Sequence, residues 1–352
     1  MKCHLHIGTA KTGTTTIQRF LAMNSKVLQK VGLSTVPETC TSKKQMNSRL
    51  LSIASFDSDR RDDWTRRHGI DSDQDLRQEQ SEIRKSITQA IHALDSPSVV
   101  LSGEHMHMRL TRPSEISRLK ELLQSAGCTE FLVHIYLRHQ ASYRYSQIAE
   151  SIKNGDVHKT IDLRDPATYR PTFHESYDYA ASLQRWSDVF GAASIKPRIF
   201  ENSSFHNGSL IDDFSSALGL PNTMEYKVPH EENVKLSREA LEILNRINSL
   251  IPRWINDRPN PARQHWKVPQ TVAKKYNSGK HECSPAMFEA WDSYYKESNE
   301  NVRANWFPAR PCLFNKRPLS AESEMPSSQD RYDEIAQTIA RIHLSSTKQP
   351  LE

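Results

Sequence analysis

A loop rich in glycine and threonine follows the first apolar segment of the chain. It covers residues 8–16 and reads Gly8, Thr9, Ala10, Lys11, Thr12, Gly13, Thr14, Thr15 and Thr16. Between a strand and a helix, the backbone N–H groups of such a loop converge on an anion, and the helix N-terminus adds positive potential. The threonine hydroxyls can donate further hydrogen bonds, and Lys11 brings one compact positive charge. The loop therefore predicts a phosphate site.

The position of the lysine separates this loop from the Walker A motif. In that motif the lysine directly follows the second glycine. Here Thr14 follows Gly13, and Lys11 lies two residues before that glycine. The pattern favours phosphate binding without specifying the nucleotide. The alternative is an ordinary strand-to-helix turn whose threonines bind no ligand.

A second candidate phosphate contact lies near the middle of the chain. Arg138 directly follows the apolar run 131–137, and Ser146 comes eight residues after it. A guanidinium grips a phosphate with paired hydrogen bonds, and a hydroxyl on the next helix adds a donor. Ser142 replaces Ser146 if that helix begins differently. The alternative is a surface arginine followed by a solvated serine.

A candidate proton acceptor follows the apolar run 98–101. Glu104 and His105 lie just beyond it, and ligands of α/β sheets bind at the carboxyl ends of the strands. We favour Glu104 as the base, because a carboxylate that is partly desolvated in a cleft is a competent proton acceptor. His105 is the alternative base. Without a catalytic role, Glu104 would stabilise a helix N-terminus and His105 would be an exposed loop imidazole.

The elements that must position these residues alternate between strand and helix. The patterns predict strands at 5–8, 33–36, 98–101, 131–137 and 195–200, and helices at 14–30, 81–94, 139–153 and 177–190. This order indicates an α/β fold with a mainly parallel sheet. From residue 210 onward helices dominate, with 236–251 and 285–306 as the clearest examples.

Two segments stand apart from this pattern. Residues 41–80 are strongly polar and charged, which is typical of a surface insertion or a lid. Residues 316–352 read as a polar C-terminal tail with a helix at 332–342.

Composition excludes several classes of protein. The 352 residues include 6 Trp, 11 Tyr and 11 Phe, enough large apolar groups for a packed core. A net charge of +5 is too small for a nucleic-acid coat. The five cysteines are scattered, so neither a zinc ribbon nor a disulfide framework is indicated. We find no apolar signal region and no membrane-length apolar stretch, and we expect a soluble, cytoplasmic protein.

We expect no metal site. His4 and His6, like His105 and His107, are two residues apart, but no acidic residue or cysteine completes a ligand set at a useful spacing. We interpret these pairs as structural.

Residues 11–15 resemble the 5′-phosphosulfate loop of sulfotransferases that use 3′-phosphoadenylyl sulfate (PAPS), which reads K-x-G-T-[ST]. The resemblance is to the bacterial, carbohydrate-sulfotransferase-like branch, and it continues more faintly through 179–186, 197–201 and 298–307. It implies a P-loop, nucleotide-kinase-like parallel sheet flanked by helices, with a mainly helical C-terminal part. It also implies that residues 1–315 form the sulfotransferase domain.

The resemblance assigns roles to the candidate residues. It implies that Lys11, Thr12, Gly13, Thr14, Thr15 and Thr16 bind the 5′-phosphosulfate. Lys11 would also act at the departing phosphate, and Arg138 with Ser146 would hold the 3′-phosphate. Members of the family use a Glu or a His as the base, which Glu104 and His105 match. The sequence departs from the family at 138–140, where Arg-His-Gln replaces Arg-Asp-Pro. The R-K-G-x-x-G-x-W motif of eukaryotic cytosolic members is absent.

The resemblance thus implies an enzyme of EC 2.8.2 type that needs no metal. It would move a sulfuryl group from PAPS to a hydroxyl of a carbohydrate or glycolipid and release adenosine 3′,5′-bisphosphate (PAP). One alternative is an ATP-dependent small-molecule kinase, which would require Mg²⁺. The other is a non-catalytic module that binds a nucleotide or a glycan. We expect no nucleic-acid partner and no transmembrane segment, and the oligomeric state stays open.

Overall fold

A five-stranded parallel sheet organises the N-terminal part of the chain. The computed structural model describes residues 1–36, 49–168, 175–221, 225–229, 235–256, 258–263, 266–277, 282–316 and 329–347. The strands are β1 (Lys2–Gly8), β2 (Leu33–Thr35), β3 (Ser98–Ser102), β4 (Glu130–Leu137) and β5 (Ile195–Ile199), in the order β2-β3-β1-β4-β5. Every neighbouring pair runs parallel. The predicted α/β fold is confirmed.

Helices flank the sheet and dominate the C-terminal part. In the first part of the chain they are α1 (Thr14–Met23), α2 (Ser25–Lys30), α3 (Arg49–Ile53), α4 (Asp63–Arg67), α5 (Asp73–His92), α6 (His105–Arg109), α7 (Pro113–Ser125) and α8 (Gln140–Lys153). Then come α9 (Tyr179–Phe190), α10 (Leu210–Ala217), α11 (Arg238–Leu250), α12 (Val268–Tyr276), α13 (Pro285–Tyr294), α14 (Lys296–Trp306) and α15 (Gln329–Thr347). A short antiparallel hairpin joins β6 (Trp254–Ile255) to β7 (Arg258–Pro259).

The two faces of the sheet carry different side chains. Successive residues of a strand point to opposite faces. On β1, Leu5 and Ile7 belong to a large apolar cluster that includes residues of α5, α7 and α9. His4 and His6 face the other way, where His6 contacts Phe214 of α10. Helices α1 and α10 cover this second face through a separate apolar cluster.

The chain forms two compact units. The first comprises Met1–Arg138, Tyr169–Glu231 and Lys296–Phe314, and it contains the five-stranded sheet. The second comprises His139–Thr168, Glu232–Tyr295 and Asn315–Glu352. The second unit is helical apart from the β6–β7 hairpin in the part that the structure describes. The proposed single domain over 1–315 therefore draws on both units.

The described part of the predicted insertion, residues 49–80, differs from a polar surface segment. Leu51, Ile53, Phe56 and Trp64 are buried and join the large apolar cluster. The charged residues form ion pairs. Arg49 pairs with Asp62 inside the segment, at 2.9 Å. Three other pairs bind the segment to its neighbours: Arg60–Glu115 at 3.3 Å, Arg109–Asp62 at 2.7 Å and Arg112–Asp59 at 2.6 Å. Residues 41–48 lie outside the described residues.

Two predicted helices have different bounds in the structure. The helix expected over 14–30 is divided at Asn24, whose side-chain amide donates to the Phe20 carbonyl at 2.8 Å and to the Lys227 carbonyl at 2.9 Å. The tail helix is longer than expected and runs over Gln329–Thr347. Its buried Ala340 and Leu344 pack with Ile251. Within the described residues, no helix combines the length and the apolar character that a membrane crossing requires.

Candidate functional site

The carboxyl ends of three adjacent strands bring the candidate site together. The parallel register pairs His6 of β1 with Ser102 of β3, and Gly8 of β1 with Ile135 of β4. The loop after β1, the turn after β3 and Arg138 after β4 therefore emerge at one edge of the sheet. This is the edge at which ligands of parallel α/β sheets bind.

Gly13 has a backbone conformation that favours glycine. Gly13 has φ 73°, in the left-handed region, and a Cβ placed on it would lie 2.2 Å from Cδ2 of Leu210. Helix α1 starts at the next residue with no acidic side chain in its first turn. The first N–H groups of a helix have no partner within the helix. The loop therefore presents an unshielded helix N-terminus.

Several threonine hydroxyls hold the loop itself. Thr12 donates to the carbonyl of Thr9 at 2.6 Å, and Thr14 donates to the same carbonyl at 3.3 Å. The backbone N–H and the hydroxyl of Thr9 both donate to the Tyr136 carbonyl at 3.1 Å. The binding of a phosphate by Thr12, Thr14, Thr15 and Thr16 stays a prediction. Thr15 is exposed and Thr16 is half-buried.

Arg138 lies against the loop. Its Nη1 donates to the carbonyl of Lys11 at 2.7 Å. The guanidinium carbon lies 5.6 Å from the centre of the Phe200 ring, within the range of a cation–π contact. The hydroxyl of Tyr179 donates to the Arg138 carbonyl at 2.6 Å. The structure thus brings together two cationic residues that the sequence places far apart, Lys11 and Arg138.

Glu104 also lies beside the loop. A Cβ placed on Gly8 would be 3.2 Å from the Glu104 Cα, and Gly8 has φ 121°. The side-chain amide of Gln18 donates to Oε2 of Glu104 at 3.3 Å and to the Ser102 carbonyl at 3.3 Å. The carboxylate is half-buried. Helix α1, which begins at the loop, therefore also orients the carboxylate.

His105 has a different environment. The Nε of Arg109 donates to His105 Nδ1 at 3.2 Å, so this ring nitrogen acts as an acceptor. Arg109 also forms an ion pair with Asp62 at 2.7 Å. The choice between Glu104 and His105 as the base stays a prediction.

Ser146 belongs to the second compact unit. It lies on α8, whose N-cap is His139, and its side chain is half-buried. Ser142 is on the same helix and is also half-buried. The pairing of either serine with Arg138 stays a prediction.

The histidines of the sheet pack as structural groups. The rings of His4 and His134 stack with centroids 5.3 Å apart, and His4 Nδ1 lies 3.1 Å from His134 Nε2. Burial lowers the pKa of His6 to about 3 and, together with Lys2, that of His4 to about 4. Burial likewise lowers the pKa of His107 to about 3. In the described ranges, no group of three or more His, Cys, Asp or Glu side chains is arranged to hold a metal ion.

Sequence reasoning missed the residues that orient the site. Gln18 supports Glu104, and Tyr179 supports the end of β4 at Arg138. Phe200 follows β5 and contacts the guanidinium. Each is distant in sequence from the group it contacts, so no local pattern marks it. Tyr179 does lie in the 179–186 segment of the resemblance.

Comparisons with known proteins add little to this geometry. No family profile matches the sequence. A curated protein of Archaeoglobus fulgidus, described only as an uncharacterized protein, is 35% identical over 95 residues, which is 26% of this chain. The matched part spans about a quarter of that relative's length, 24%. The crystal structure of a sulfotransferase from Alicyclobacillus acidocaldarius is similar over 70% of this chain and 91% of that one, with 17% identity and a TM-score of 0.43. At these values the likeness does not identify the activity of this chain.

Proposed function

We propose that the chain is a PAPS-dependent sulfotransferase. The observation that carries the proposal is the hydrogen bond from Arg138 to the carbonyl of Lys11, 2.7 Å long. It joins the two basic motifs of a PAPS site at the edge of a parallel sheet where ligands bind. One motif would hold the 5′-phosphosulfate, and Arg138 with Ser146 of α8 would hold the 3′-phosphate. An ordinary strand-to-helix turn would not require an arginine from the next strand to bind its backbone.

The residues at this edge suit the transfer of a sulfuryl group. An acceptor hydroxyl attacks sulfur, its proton passes to the Glu104 carboxylate, and the bond from sulfur to the bridging phosphate oxygen breaks. Negative charge then develops on that oxygen, where the Lys11 ammonium and the N-terminus of α1 stabilise it. The hydrogen bond from Gln18 keeps the carboxylate in place. The products are a sulfate ester and PAP.

The acceptor and the compartment are part of the same proposal. A carbohydrate or glycolipid hydroxyl is the acceptor that the sequence resemblance favours. We place the reaction in the cytoplasm, because the five cysteines are scattered along the sequence and do not form the pattern of a disulfide framework.

The first test is thermal unfolding with PAP, with ADP, and with ATP plus Mg²⁺. A ligand at about a hundred times its Kd stabilises the folded state by about 2.7 kcal/mol. We therefore expect PAP to raise the midpoint temperature of unfolding clearly. Lys11→Ala should reduce that shift, whereas Lys26→Ala, which changes an exposed lysine of α2, should not. A shift with ATP and Mg²⁺ but none with PAP would replace the proposal with the kinase.

Turnover needs a separate test. Labelled PAPS is incubated with pools of saccharides and glycolipids, and transfer of the label is measured. We expect an acceptor to be labelled, and Lys11→Ala to abolish labelling. PAP binding without transfer to any pool would favour the non-catalytic module.

A further inference from the structure

A cavity of about 440 Å³ lies within the second unit, away from the residues discussed so far. Two arginines, two asparagines, two prolines and a tryptophan line it. Its volume falls in the range of small-molecule sites, which are mostly apolar with a few convergent polar groups. The lining residues come from the end of α8, the β6–β7 hairpin and the segment that leads into α12.

The polar wall of the cavity is held rigidly. The buried Asn260 donates to the Pro252 carbonyl at 2.7 Å and accepts from the Ala262 N–H at 2.9 Å. Arg263 donates from Nε to the Ile251 carbonyl at 2.8 Å and from Nη2 to Asn248 at 2.8 Å. The backbone makes room for this guanidinium, since a Cβ placed on Gly155 would lie 2.2 Å from it.

Two like charges share the cavity. Burial and the positive charge of Arg253 lower the pKa of Arg263 to about 10. Asp156 acts in the opposite sense, and its carboxylate also accepts a hydrogen bond from Ser151 at 2.6 Å. The residues that line the cavity include both arginines and no acidic side chain. A cleft lined by charges of one sign attracts ions of the opposite sign, so the cavity suits an anionic group.

The remaining lining suits the body of a small polar molecule. The Arg263 guanidinium carbon lies 4.2 Å from the centre of the Trp266 ring. In the described structure, Nε1 of this tryptophan is buried without a hydrogen-bond partner. Such an indole N–H has a donor to offer to a ligand oxygen. The asparagine amides can donate and accept beside it.

We propose that this cavity binds an acidic sugar, with the sulfate or carboxylate group on Arg253 and Arg263 and the hydroxyls on the amides and the Trp266 N–H. Both kinds of sugar share a negative group on a compact, hydroxyl-rich ring. The proposal rests on the second unit alone and does not depend on PAPS chemistry.

Calorimetric titration of the full chain tests the proposal. The ligands are glucose 6-sulfate, glucuronate, glucose and sodium sulfate, added separately. Glucose 6-sulfate, glucuronate or both should bind, and glucose should bind at least about 10-fold more weakly, because a hydrogen bond to a charged group is worth that much. Binding of glucose 6-sulfate without binding of glucuronate would show that the site takes a sulfate group. The reverse result would show that it takes a carboxylate. Sodium sulfate should also bind more weakly than the sugar anion.

Two variants locate the binding. Arg253→Gln removes a lining cation and should lower the affinity for the sugar anion about 10-fold or more. Arg258→Gln changes an exposed arginine of the same hairpin and should leave binding within about 2-fold, because it retains every lining group. Equal losses in both variants would overturn the site, and so would no binding of either sugar anion. Equal affinity for sodium sulfate would overturn the sugar assignment. PAP affinity, measured on the same samples, reports on the other proposal separately.

Discussion

The loop after β1 and the arginine-lined cavity both present donors to an anion, but they are built from different parts of the chain. The loop uses consecutive residues, and its donors are mainly backbone N–H groups at the start of α1. The cavity draws its residues from between Asn154 and Trp266, and its donors are side chains. A backbone site depends on the conformation of the chain, whereas a side-chain site depends on individual charges.

This contrast separates the two regions in chemical terms. The loop lies beside Glu104, the carboxylate that we propose as the proton acceptor, and Gln18 donates a hydrogen bond to that carboxylate. In the cavity, the described lining contains cations, amides and apolar rings. We therefore expect catalysis at the loop and binding alone in the cavity.

The largest effect is expected for Glu104→Gln. The amide retains the shape of the side chain but cannot accept the proton, so turnover should fall about 10²- to 10⁴-fold. PAP affinity should stay within about 2-fold, because the loop of residues 8–16 is unchanged. Turnover is measured with the acceptor found by labelled PAPS. His105→Gln is the matched comparison and should cost less. The opposite ranking would make His105 the base.

The next effect tests whether the loop is a backbone site. Gly13→Ala forces a Cβ onto a residue with φ 73° and into Leu210. PAP affinity should fall about 10- to 100-fold, and the free energy of unfolding by about 1–3 kcal/mol. Gly69→Ala is a control with similar φ, 66°, and no atom within 4 Å of the added Cβ. It should lower stability without changing PAP affinity, and normal PAP binding by Gly13→Ala would contradict the backbone description.

Arg138→Ala sharpens the contrast further, because this side chain both supports the loop and is assigned to a phosphate. The loss of its hydrogen bond to the Lys11 carbonyl should lower the affinities for PAP and for adenosine 5′-phosphate alike. The loss of the 3′-phosphate contact should lower the affinity for PAP by a further factor of about 10. Titration of both nucleotides measures the difference. Equal losses would limit Arg138 to supporting the loop.

The smallest effect concerns the sheet beneath the loop. His6 is buried with a pKa of about 3, against an ordinary value of 6.5. The unfolded chain therefore binds more protons, and stability falls as pH drops below about 6.5. At about pH 5 this histidine should cost about 1–2 kcal/mol. Urea unfolding at about pH 7 and at about pH 5 measures the loss, which His6→Gln should reduce.

The control for this pH dependence is an exposed histidine. His206 lies at the surface of the first unit, so His206→Gln should leave the pH dependence of the parent. An unchanged pH dependence in His6→Gln would mean that other groups, such as His107, account for the acid sensitivity.

The strands and the loop were predictable because their signals are local. All five predicted strands of the sheet are present, since runs such as 98–101 and 131–137 are apolar and β-branched. The packing of 49–80 was not predictable. Its apolar residues are scattered among charges, and the charges find their partners, such as Arg112 for Asp59, about fifty residues away.

The candidate site divides in the same way. Lys11 and Gly13 belong to one contiguous motif, so sequence alone locates them. The contact of Arg138 with the loop follows from the register of β4 beside β1, which a parallel sheet makes foreseeable. Gln18 and Tyr179 act across tertiary contacts that no sequence spacing indicates. The arginine-lined cavity is likewise formed by tertiary contacts that no sequence spacing indicates.

The segment 296–314 belongs to the first unit but is synthesised after most of the second unit. Val302 and Phe314 pack into the first unit's apolar cluster, and the Ser298 hydroxyl donates to Asp178 at 2.7 Å. Ribosomes add about 5–20 residues per second, and domains generally fold as units. The first unit thus cannot close until the helices α11 to α13 of the second unit have been made. A chain stalled before residue 296 would leave part of its apolar cluster uncovered, and such surface is what chaperones bind.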